Sequence, residues 1–329
     1  MVSLNLVRSS NAAFVKLQPV VAVFLGSTSG IGEYSVRELA TCHGTTGKGL
    51  RLYIVGRNQG EAERIIANCR QLCPTGEFKF VAANNLALLK DVDRVCDEII
   101  GFEKTLTDTP KIDLLVMTQS YVSFTARKDT TEGLDDRMSL LYYSRMRCII
   151  QFLPLLNAAP LGGHVISVFG PGRDKRIYPE DLSLRNPEHY SFVTMGSHAA
   201  YMTTFFLEKL AAENPQLSLV HYYPSLVETN AFWDERLPGW FRVIWRMLLP
   251  LLRLYTVPQD ECGQRVIFHT SDRFPPRVAK DVGNGKNNED IEVATSSDGI
   301  LGGGAYRVNW NGEMVPTGKN YGKLREEGP

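Results

Sequence analysis

Three glycines that follow a short apolar run have the spacing needed to hold a phosphate group. The run Val20–Leu25 leads directly into Gly26, Gly30 and Gly32, and a helical pattern begins immediately behind them. Glycine lets the backbone turn sharply and approach a ligand closely, because it carries no side chain. The N-terminus of the following helix offers unpaired N–H groups and the positive end of the helix dipole. This arrangement predicts a binding site for the pyrophosphate of a dinucleotide.

The spacing Gly-x-x-x-Gly-x-Gly, set between a strand and a helix, resembles the loop of the short-chain dehydrogenase/reductase superfamily. The resemblance extends over residues 18–272. The members that the chain resembles are divergent ones that lack the family's Tyr-x-x-x-Lys pair. They are similar to those found in filamentous-fungal secondary-metabolite pathways. In this chain the resemblance implies a cofactor held at the loop by Gly26, Ser27, Ser29, Gly30, Ile31 and Gly32.

The end of the second predicted strand indicates which dinucleotide binds. An NAD site has an acidic side chain there, which accepts hydrogen bonds from the ribose hydroxyls. Here the strand Arg51–Val55 is followed by Arg57 and Asn58, with no carboxylate. A guanidinium can bind a 2′-phosphate through two charge-assisted hydrogen bonds. In the superfamily this pattern implies NADP(H), and the alternative is a solvated surface arginine.

Three later segments resemble the superfamily's other cofactor contacts, each with substitutions. After the third strand, Asn-Leu stands where the family has Asp-Leu beside the adenine. The fourth strand ends in Met-Thr-Gln-Ser at 117–120 instead of Asn-Asn-Ala-Gly. Residues 223–229 read Tyr-Pro-Ser-Leu-Val-Glu-Thr and are similar to the family's Pro-Gly-x-Val-x-Thr. The residues assigned to the cofactor on this basis are Asn85, Leu86, Thr118, Pro224 and Thr229.

The catalytic tetrad of the superfamily is absent from the sequence. In the family a Tyr exchanges a proton, a Lys four residues later lowers its pKa, a Ser polarises the carbonyl and an Asn organises water. None of the 13 tyrosines in this chain has a Lys four positions later. Alignment on neighbouring motifs places residues without ionisable side chains at the Asn, Ser, Tyr and Lys positions. These residues are Leu141, Gly170, Gly196 and Ala200.

Two tyrosines are candidate substitutes for the missing proton donor. Tyr121 directly follows the altered turn after the fourth strand, where a side chain can point over the nicotinamide; the alternative is an aromatic wall of the pocket. Tyr190 precedes the helix that would carry the Tyr–Lys pair, and its hydroxyl could reach the vacated space. Replacement of Tyr, Lys and Ser by small residues also predicts a roomier, less polar pocket. Such a pocket suits a bulky lipophilic carbonyl or alcohol.

Apolar runs and helical patterns alternate along the 329 residues. Buried strands separated by helices predict a Rossmann-type, doubly wound parallel sheet of the α/β class, in a single domain over 1–329. An N-terminal arm at 1–18, a helical substrate cap at 232–256 and a mobile loop at 277–304 complete it. The predicted strands are Val20–Leu25, Arg51–Val55, Glu77–Ala82, Ile112–Met117, His164–Phe169, Leu217–Tyr222 and Ala305–Asn309. The predicted helices are Ile31–Cys42, Gly60–Leu72, Leu86–Phe102, Leu134–Leu156, Ser191–Glu213 and Pro258–His269.

Composition bears on partners and compartment. Basic and acidic residues number 36 each. The sequence contains no basic stripe of the kind that binds nucleic acid. Six cysteines without a CxxC pair predict reduced thiols in a cytoplasmic protein, with no metal site. The resemblance further implies a homo-oligomer built on the helices near 134–156 and 190–213.

The apolar cap contains three arginines and two prolines between residues 237 and 255, which argues against a transmembrane helix. Three interpretations of it stay open: a helix pair packed on the surface, a lid over the substrate, or peripheral contact with a membrane surface.

Three functions are compatible with these residues. The first is an NADPH-dependent reductase or dehydrogenase of natural-product biosynthesis with a non-standard proton donor. The second is a non-redox cyclase, isomerase or dehydratase, because a pocket that only orients a reactive intermediate does not need the Tyr–Lys pair. The third is a non-catalytic regulator that binds NADP(H). The fold cannot choose among them, because chemistry belongs to the site.

Overall fold

A computed structural model of the chain describes residues 1–277 and 291–327. Seven parallel strands form one sheet in the order β3-β2-β1-β4-β5-β6-β7. This is the Rossmann-type doubly wound sheet that the sequence predicts. The strands are β1 (Val20–Leu25), β2 (Leu50–Gly56), β3 (Glu77–Ala82), β4 (Leu114–Met117), β5 (His164–Val168), β6 (Ser218–Tyr223) and β7 (Ala305–Asn309).

Ten α-helical segments accompany the strands within the described residues. They are α1 (Leu4–Leu17), α2 (Gly30–His43), α3 (Gln59–Leu72), α4 (Leu89–Leu106), α5 (Asp136–Met138), α6 (Ser144–Asn157), α7 (Phe192–Glu213), α8 (Gly239–Leu252), α9 (Gln259–Ile267) and α10 (Lys319–Glu327).

The central strands β1, β4 and β5 are buried on both faces, which explains the apolar runs of β1 and β4, whereas the edge strand β3 exposes Glu77, Lys79 and Ala82. Successive residues of β1 point to opposite faces, so Ala22 and Phe24 pack under α1, α2, α3 and α9. Val23 and Leu25 pack under α4, α6 and α7 on the other face. The central strands are therefore fixed by two helical layers, and their carboxyl ends emerge at one edge.

Four of the six predicted helices lie within two residues of their predicted limits, and the other two differ further. Helix α4 begins at Leu89 instead of Leu86, because Asn85 Oδ1 accepts the N–H of Ala87 and holds a turn before the helix. The predicted helix over 134–156 is divided into α5, a π-helical turn at Ser139–Tyr143 and α6. The N-terminal arm forms α1, whose Asn11 amide donates to the carbonyl of Gln264 at 2.8 Å.

The cap consists of α8 with a 3₁₀ turn before and after it, so it contains one α-helix instead of a helix pair.

None of the helices in the described ranges is long and apolar enough to cross a membrane. Of the predicted mobile segment 277–304, residues 278–290 lie outside the described residues. The described remainder contains an antiparallel bridge between Thr295 and Leu301.

Candidate functional site

The turn between β1 and α2 has the backbone that its glycines predict. Gly26 and Gly30 have φ values of 76° and 59°, in the left-handed region that side chains rarely adopt. A Cβ on Gly26 would lie 2.6 Å from the backbone nitrogen of Gln119, and a Cβ on Gly32 would lie 2.7 Å from Thr118 Oγ1. The turn thus packs tightly on the end of β4, and only glycine fits at these points.

A cavity of about 560 Å³ lies beside this turn, at the carboxyl ends of the strands. Its walls come from residues that end or follow each of the strands β1 to β6. The strand order reverses between β1 and β4, which are neighbours in the sheet. Parallel α/β sheets bind their ligands at such a switch point, so the cavity has the position expected of a ligand site.

Most residues that the sequence assigns to the cofactor come together around this cavity. Ser29 is the N-cap of α2, but its side chain makes no capping hydrogen bond. Thr229, after β6, reaches across to the turn, since its Cγ2 lies 3.2 Å from where a Cβ on Gly30 would be. The assigned residues that line the cavity are Gly26, Ser29, Gly30, Ile31, Arg57, Asn85, Leu86, Thr118, Pro224 and Thr229.

Three assigned residues shape the site without lining the cavity in the part of the chain that the structure describes. Ser27 is fully buried, and its hydroxyl donates to the carbonyl of Phe24 at 2.7 Å. Gly32 allows α2 to approach β1 and β4. Asn58 is the N-cap of α3, where its Oδ1 accepts the N–H of Glu61 at 3.1 Å.

Gln119 is a lining residue that sequence reasoning missed, although its position in the altered fourth-strand turn was a signal. The side chain is 5% exposed, and Nε2 donates weakly to Ser144 Oγ at 3.4 Å. Its Oε1 is buried and has no hydrogen-bond partner among the described residues. A buried acceptor without a partner costs free energy, and a ligand amide or hydroxyl would remove that cost. Other lining residues that the sequence did not indicate are Thr28, Asn84, Phe169, Asn230 and Arg236.

Comparison with known proteins decides the family. The chain is 37% identical over 320 residues to "Short-chain dehydrogenase/reductase SAT2" of Stachybotrys chartarum, covering 94% of this chain and 88% of that relative. The chain belongs to the short-chain dehydrogenase/reductase family. It is also 35% identical over 328 residues to "Oxidoreductase AN1596" of Emericella nidulans, covering 99% and 94% of the two chains.

The fold is shared with solved structures of low sequence identity. The NADPH-bound carbonyl reductase from chicken fatty liver matches with a TM-score of 0.55 and 14% identity, covering 92% of this chain and 100% of that one. No family model matches the chain. The assignment to the short-chain dehydrogenase/reductase family therefore rests on the curated relatives, and the solved structure agrees in fold.

The four positions at which the sequence predicts the family's tetrad carry no ionisable side chain. Leu141 lies in the π-helical turn and belongs to a small buried apolar cluster that is separate from the two larger ones. Ala200 is fully buried on α7, one helical turn after Gly196.

A Cβ on Gly196 would lie 3.7 Å from the ring of Phe169, so this ring lies beside the space that Gly196 leaves. A Cβ on Gly170 would instead meet the side chain of Arg173 at 2.8 Å. Phe169 narrows the pocket beside Gly196, and polar side chains such as Gln119 and Asp136 line the cavity, so the roomier, less polar pocket stays a prediction.

Tyr121 lines the cavity, and charged groups surround its ring. Its hydroxyl donates to the Asp136 carboxylate, and the Arg236 guanidinium carbon lies 3.9 Å from the ring centroid. Burial, followed by the hydrogen bond and negative charge of Asp136, raises the pKa of Tyr121. The hydroxyl is protonated at neutral pH, but the raised pKa opposes release of its proton, and the positive charges of Arg137 and Arg236 act in the other direction by lowering the pKa.

Tyr190 lies outside the lining of this cavity, as far as the described residues extend. Its hydroxyl donates to Asp135 Oδ2 at 2.8 Å and accepts from Arg137 Nη2 at 2.6 Å. Burial and the Asp135 carboxylate raise the pKa of Tyr190. Movement of this hydroxyl to the vacated tetrad space would break both hydrogen bonds.

Arg145 on α6 is a fully buried cation that sequence reasoning missed. Its guanidinium donates to Ser167 Oγ at 2.9 Å, to the Val168 carbonyl at 2.8 Å and to the Gln119 carbonyl at 2.9 Å. Burial lowers its pKa to about 9. These hydrogen bonds join the end of β5 to the turn after β4, next to the lining residues Gln119 and Phe169.

Two further arginines lie at the rim of the cavity. Arg57 follows β2, and Arg236 comes from the segment before α8. Arg236 pairs with Asp234 through Nε–Oδ1 at 2.8 Å and Nη2–Oδ2 at 2.5 Å. The Arg236 hydrogen bonds, and more weakly the charge of Arg57, lower the pKa of Asp234. The cap thus places the ion pair of Arg236 and Asp234 close to Arg57 at the end of β2.

Proposed function

We propose that the cavity binds NADP(H). Support comes from the glycine turn, from the ten assigned residues around one cavity and from Arg57, which supplies a cation where an NAD site has a carboxylate. The pyrophosphate would be held by the turn and the N-terminus of α2, and the 2′-phosphate by Arg57. The unpartnered Oε1 of Gln119 is an acceptor suited to an amide such as the nicotinamide carboxamide.

The reaction that the site supports best is reduction of a bulky lipophilic carbonyl, or oxidation of the corresponding alcohol, in natural-product biosynthesis. The single observation that carries this proposal is Tyr121, a protonated hydroxyl on the wall of the cavity next to the carboxyl end of β4. The fungal relatives named as oxidoreductases support the reaction class. The apolar tetrad positions favour a lipophilic substrate.

Residues of this chain then perform the proton chemistry. Bound NADPH would supply the hydride. The Tyr121 hydroxyl would donate its proton to the carbonyl oxygen as the alcohol forms. Arg236, over the face of the ring, would stabilise the tyrosinate that results, and Asp136 would hold the hydroxyl oriented before the transfer. Reprotonation of Tyr121 from solvent would complete the cycle.

Replacement of Tyr121 by Phe tests this proposal. We expect Tyr121→Phe to slow NADPH oxidation with a lipophilic carbonyl by about 100-fold, because one positioned proton donor contributes this much. NADPH affinity should be unchanged, because the substitution removes only the hydroxyl. Absorbance at the NADPH band measures the rate, and Tyr190→Phe is the companion variant. Full activity of Tyr121→Phe with a slow Tyr190→Phe would move the proton donor to Tyr190.

A second function is supported by the apolar tetrad positions. A cavity walled by Leu140, Phe169 and other apolar side chains would orient a reactive intermediate for a cyclase, isomerase or dehydratase reaction without redox chemistry. Product formation without NADPH consumption would favour this function, whereas stoichiometric consumption would exclude it. NADPH binding with no turnover of any kind would favour a non-catalytic regulator.

A further inference from the structure

The outer face of the cap helix α8 is apolar and exposed. Met247 and Leu251, one turn apart, are 75% and 60% exposed. Only Trp245 and Leu249 of this helix are buried, and they anchor it on the body of the protein. Other large apolar side chains that are exposed on α8 and the turn after it are Trp240, Val243, Ile244, Leu248, Leu254 and Tyr255. A contiguous exposed patch of this size on a folded chain marks a docking surface.

The charged residues of α8 itself are both arginines, whereas Arg253, in the turn after it, pairs with Glu228 at 3.0 Å. Residues 237–259 contain three arginines and no acidic residue. Arg242 and Arg246 are four residues apart and therefore neighbours on the surface of α8; Arg246 is exposed, whereas Arg242 is half-buried and its Nε is enclosed. Neither has an ion-pair partner among the residues that the structure describes. An apolar face with a basic flank is the composition of a helix that lies in the plane of a lipid interface.

The inner face of α8 holds the helix in a fixed position next to the cavity. The ring of Trp245 stacks on Phe232 with centroids 4.0 Å apart, and Phe241 contacts Phe124 at 5.4 Å. Arg236, which lines the cavity, precedes the helix by only three residues. The outer face is therefore presented to the outside on a rigid base, and whatever covers it lies close to the cavity.

We propose that α8 docks the protein on a membrane surface that contains anionic phospholipid. The apolar face would enter the boundary between headgroups and acyl chains, and Arg242 and Arg246 would contact the phosphates. A second copy of the chain fits less well, because pairing two such faces brings arginines of like charge together without a counter-ion. An anionic lipid surface neutralises them. The proposal holds whatever reaction the cavity performs.

Vesicle flotation with the full chain tests the proposal. We expect the protein to float with phosphatidylcholine vesicles that contain phosphatidylserine, and to bind more weakly as salt is added. The double variant Arg242→Gln, Arg246→Gln should lose about fivefold in affinity for each arginine. Wild-type protein that stays in the aqueous fraction with both kinds of vesicle would overturn the proposal. Equal binding with and without phosphatidylserine would overturn its anionic part.

An apolar variant with a matched control separates the face of α8 from general stickiness. Met247→Glu with Leu251→Glu should weaken vesicle binding by about tenfold or more, since it places two carboxylates in the docking face. Val193→Glu, at a site that is 64% exposed on α7, should bind like the wild type. Both variants alter exposed side chains, and circular dichroism checks that each is folded. Unchanged binding of the α8 variant would contradict the proposal, as would a wild-type dimer that this variant disperses without any vesicle binding.

Discussion

At the scale of single residues, Arg145 shows how the site is held together where the family's tetrad is missing. Its three donor nitrogens satisfy a hydroxyl and two carbonyls at the ends of β4 and β5 and the Leu140 carbonyl in the π-helical turn. No feature of the sequence distinguishes it from Arg147, two residues later, which forms an ion pair with Asp93 near the surface. Burial of one and exposure of the other depend on tertiary packing that a helical pattern does not contain.

Arg145→Ala should lower the free energy of unfolding by about 3 kcal/mol or more, because it leaves several buried acceptors without partners. Arg147→Ala is the matched control on the same helix. It should cost less than about 1 kcal/mol, because it breaks only a partly exposed ion pair. Urea unfolding measures both values. Similar losses in the two variants would show that Arg145 is not the tie between β4 and β5.

Because His164 at the start of β5 is buried, we expect the folded protein to lose stability in acid. Burial lowers its pKa to about 4 from the ordinary value near 6.5. Between these values the unfolded chain binds a proton that the folded chain excludes, so stability is present above the ordinary pKa and falls as the pH drops through this window. His164 should account for about 2 kcal/mol of the loss between pH 7 and pH 5. His164→Asn should have a correspondingly flatter stability profile in urea unfolding, and an unchanged profile would contradict this origin.

At the scale of elements, the glycine turn is the part of the site that the sequence describes best. The turn needs a particular backbone conformation to hold a phosphate, and the spacing of its glycines indicates that conformation directly. The catalytic half is described less well. The π-helical turn at Ser139–Tyr143, the buried Gln119 and the approach of Arg236 from the cap all depend on contacts between distant segments. Such contacts leave no local pattern, so the sequence indicated Tyr121 but not its neighbours.

Gly26→Ala tests the turn as an element. We expect it to lower the free energy of unfolding by about 2 kcal/mol or more, because the residue has a positive φ and its new Cβ would meet the backbone of Gln119. Affinity for NADPH should fall with it. Gly60→Ala is the control, since a Cβ there meets Asn58 Oδ1 at an ordinary 3.6 Å within helix α3. That variant should be neutral or gain up to about 1 kcal/mol. Urea unfolding that finds both variants equally stable would contradict the role of the turn.

At the scale of the whole molecule, the alternation of apolar runs and helical patterns was sufficient to predict the sheet. All seven predicted strands are present in the sheet, and three of them have the predicted limits. The C-terminal helix α10 was not predicted. Its Tyr321 is fully buried against Tyr201 of α7, with ring centroids 4.7 Å apart. The helices on which the sequence predicts a homo-oligomer include α7, and α10 covers part of that helix; the oligomer itself stays a prediction.

The function proposed for the molecule requires NADP(H) to occupy the cavity at the strand ends. Calorimetric titration of the wild type with NADPH and with NADH tests this most directly, together with Arg57→Ala and the control Arg70→Ala on the exposed side of α3. We expect the wild type to prefer NADPH, and Arg57→Ala to weaken NADPH by about 10- to 100-fold with little change for NADH. Arg70→Ala should bind like the wild type. Wild-type protein that binds neither dinucleotide, or an Arg57→Ala variant with unchanged NADPH affinity, would contradict the account.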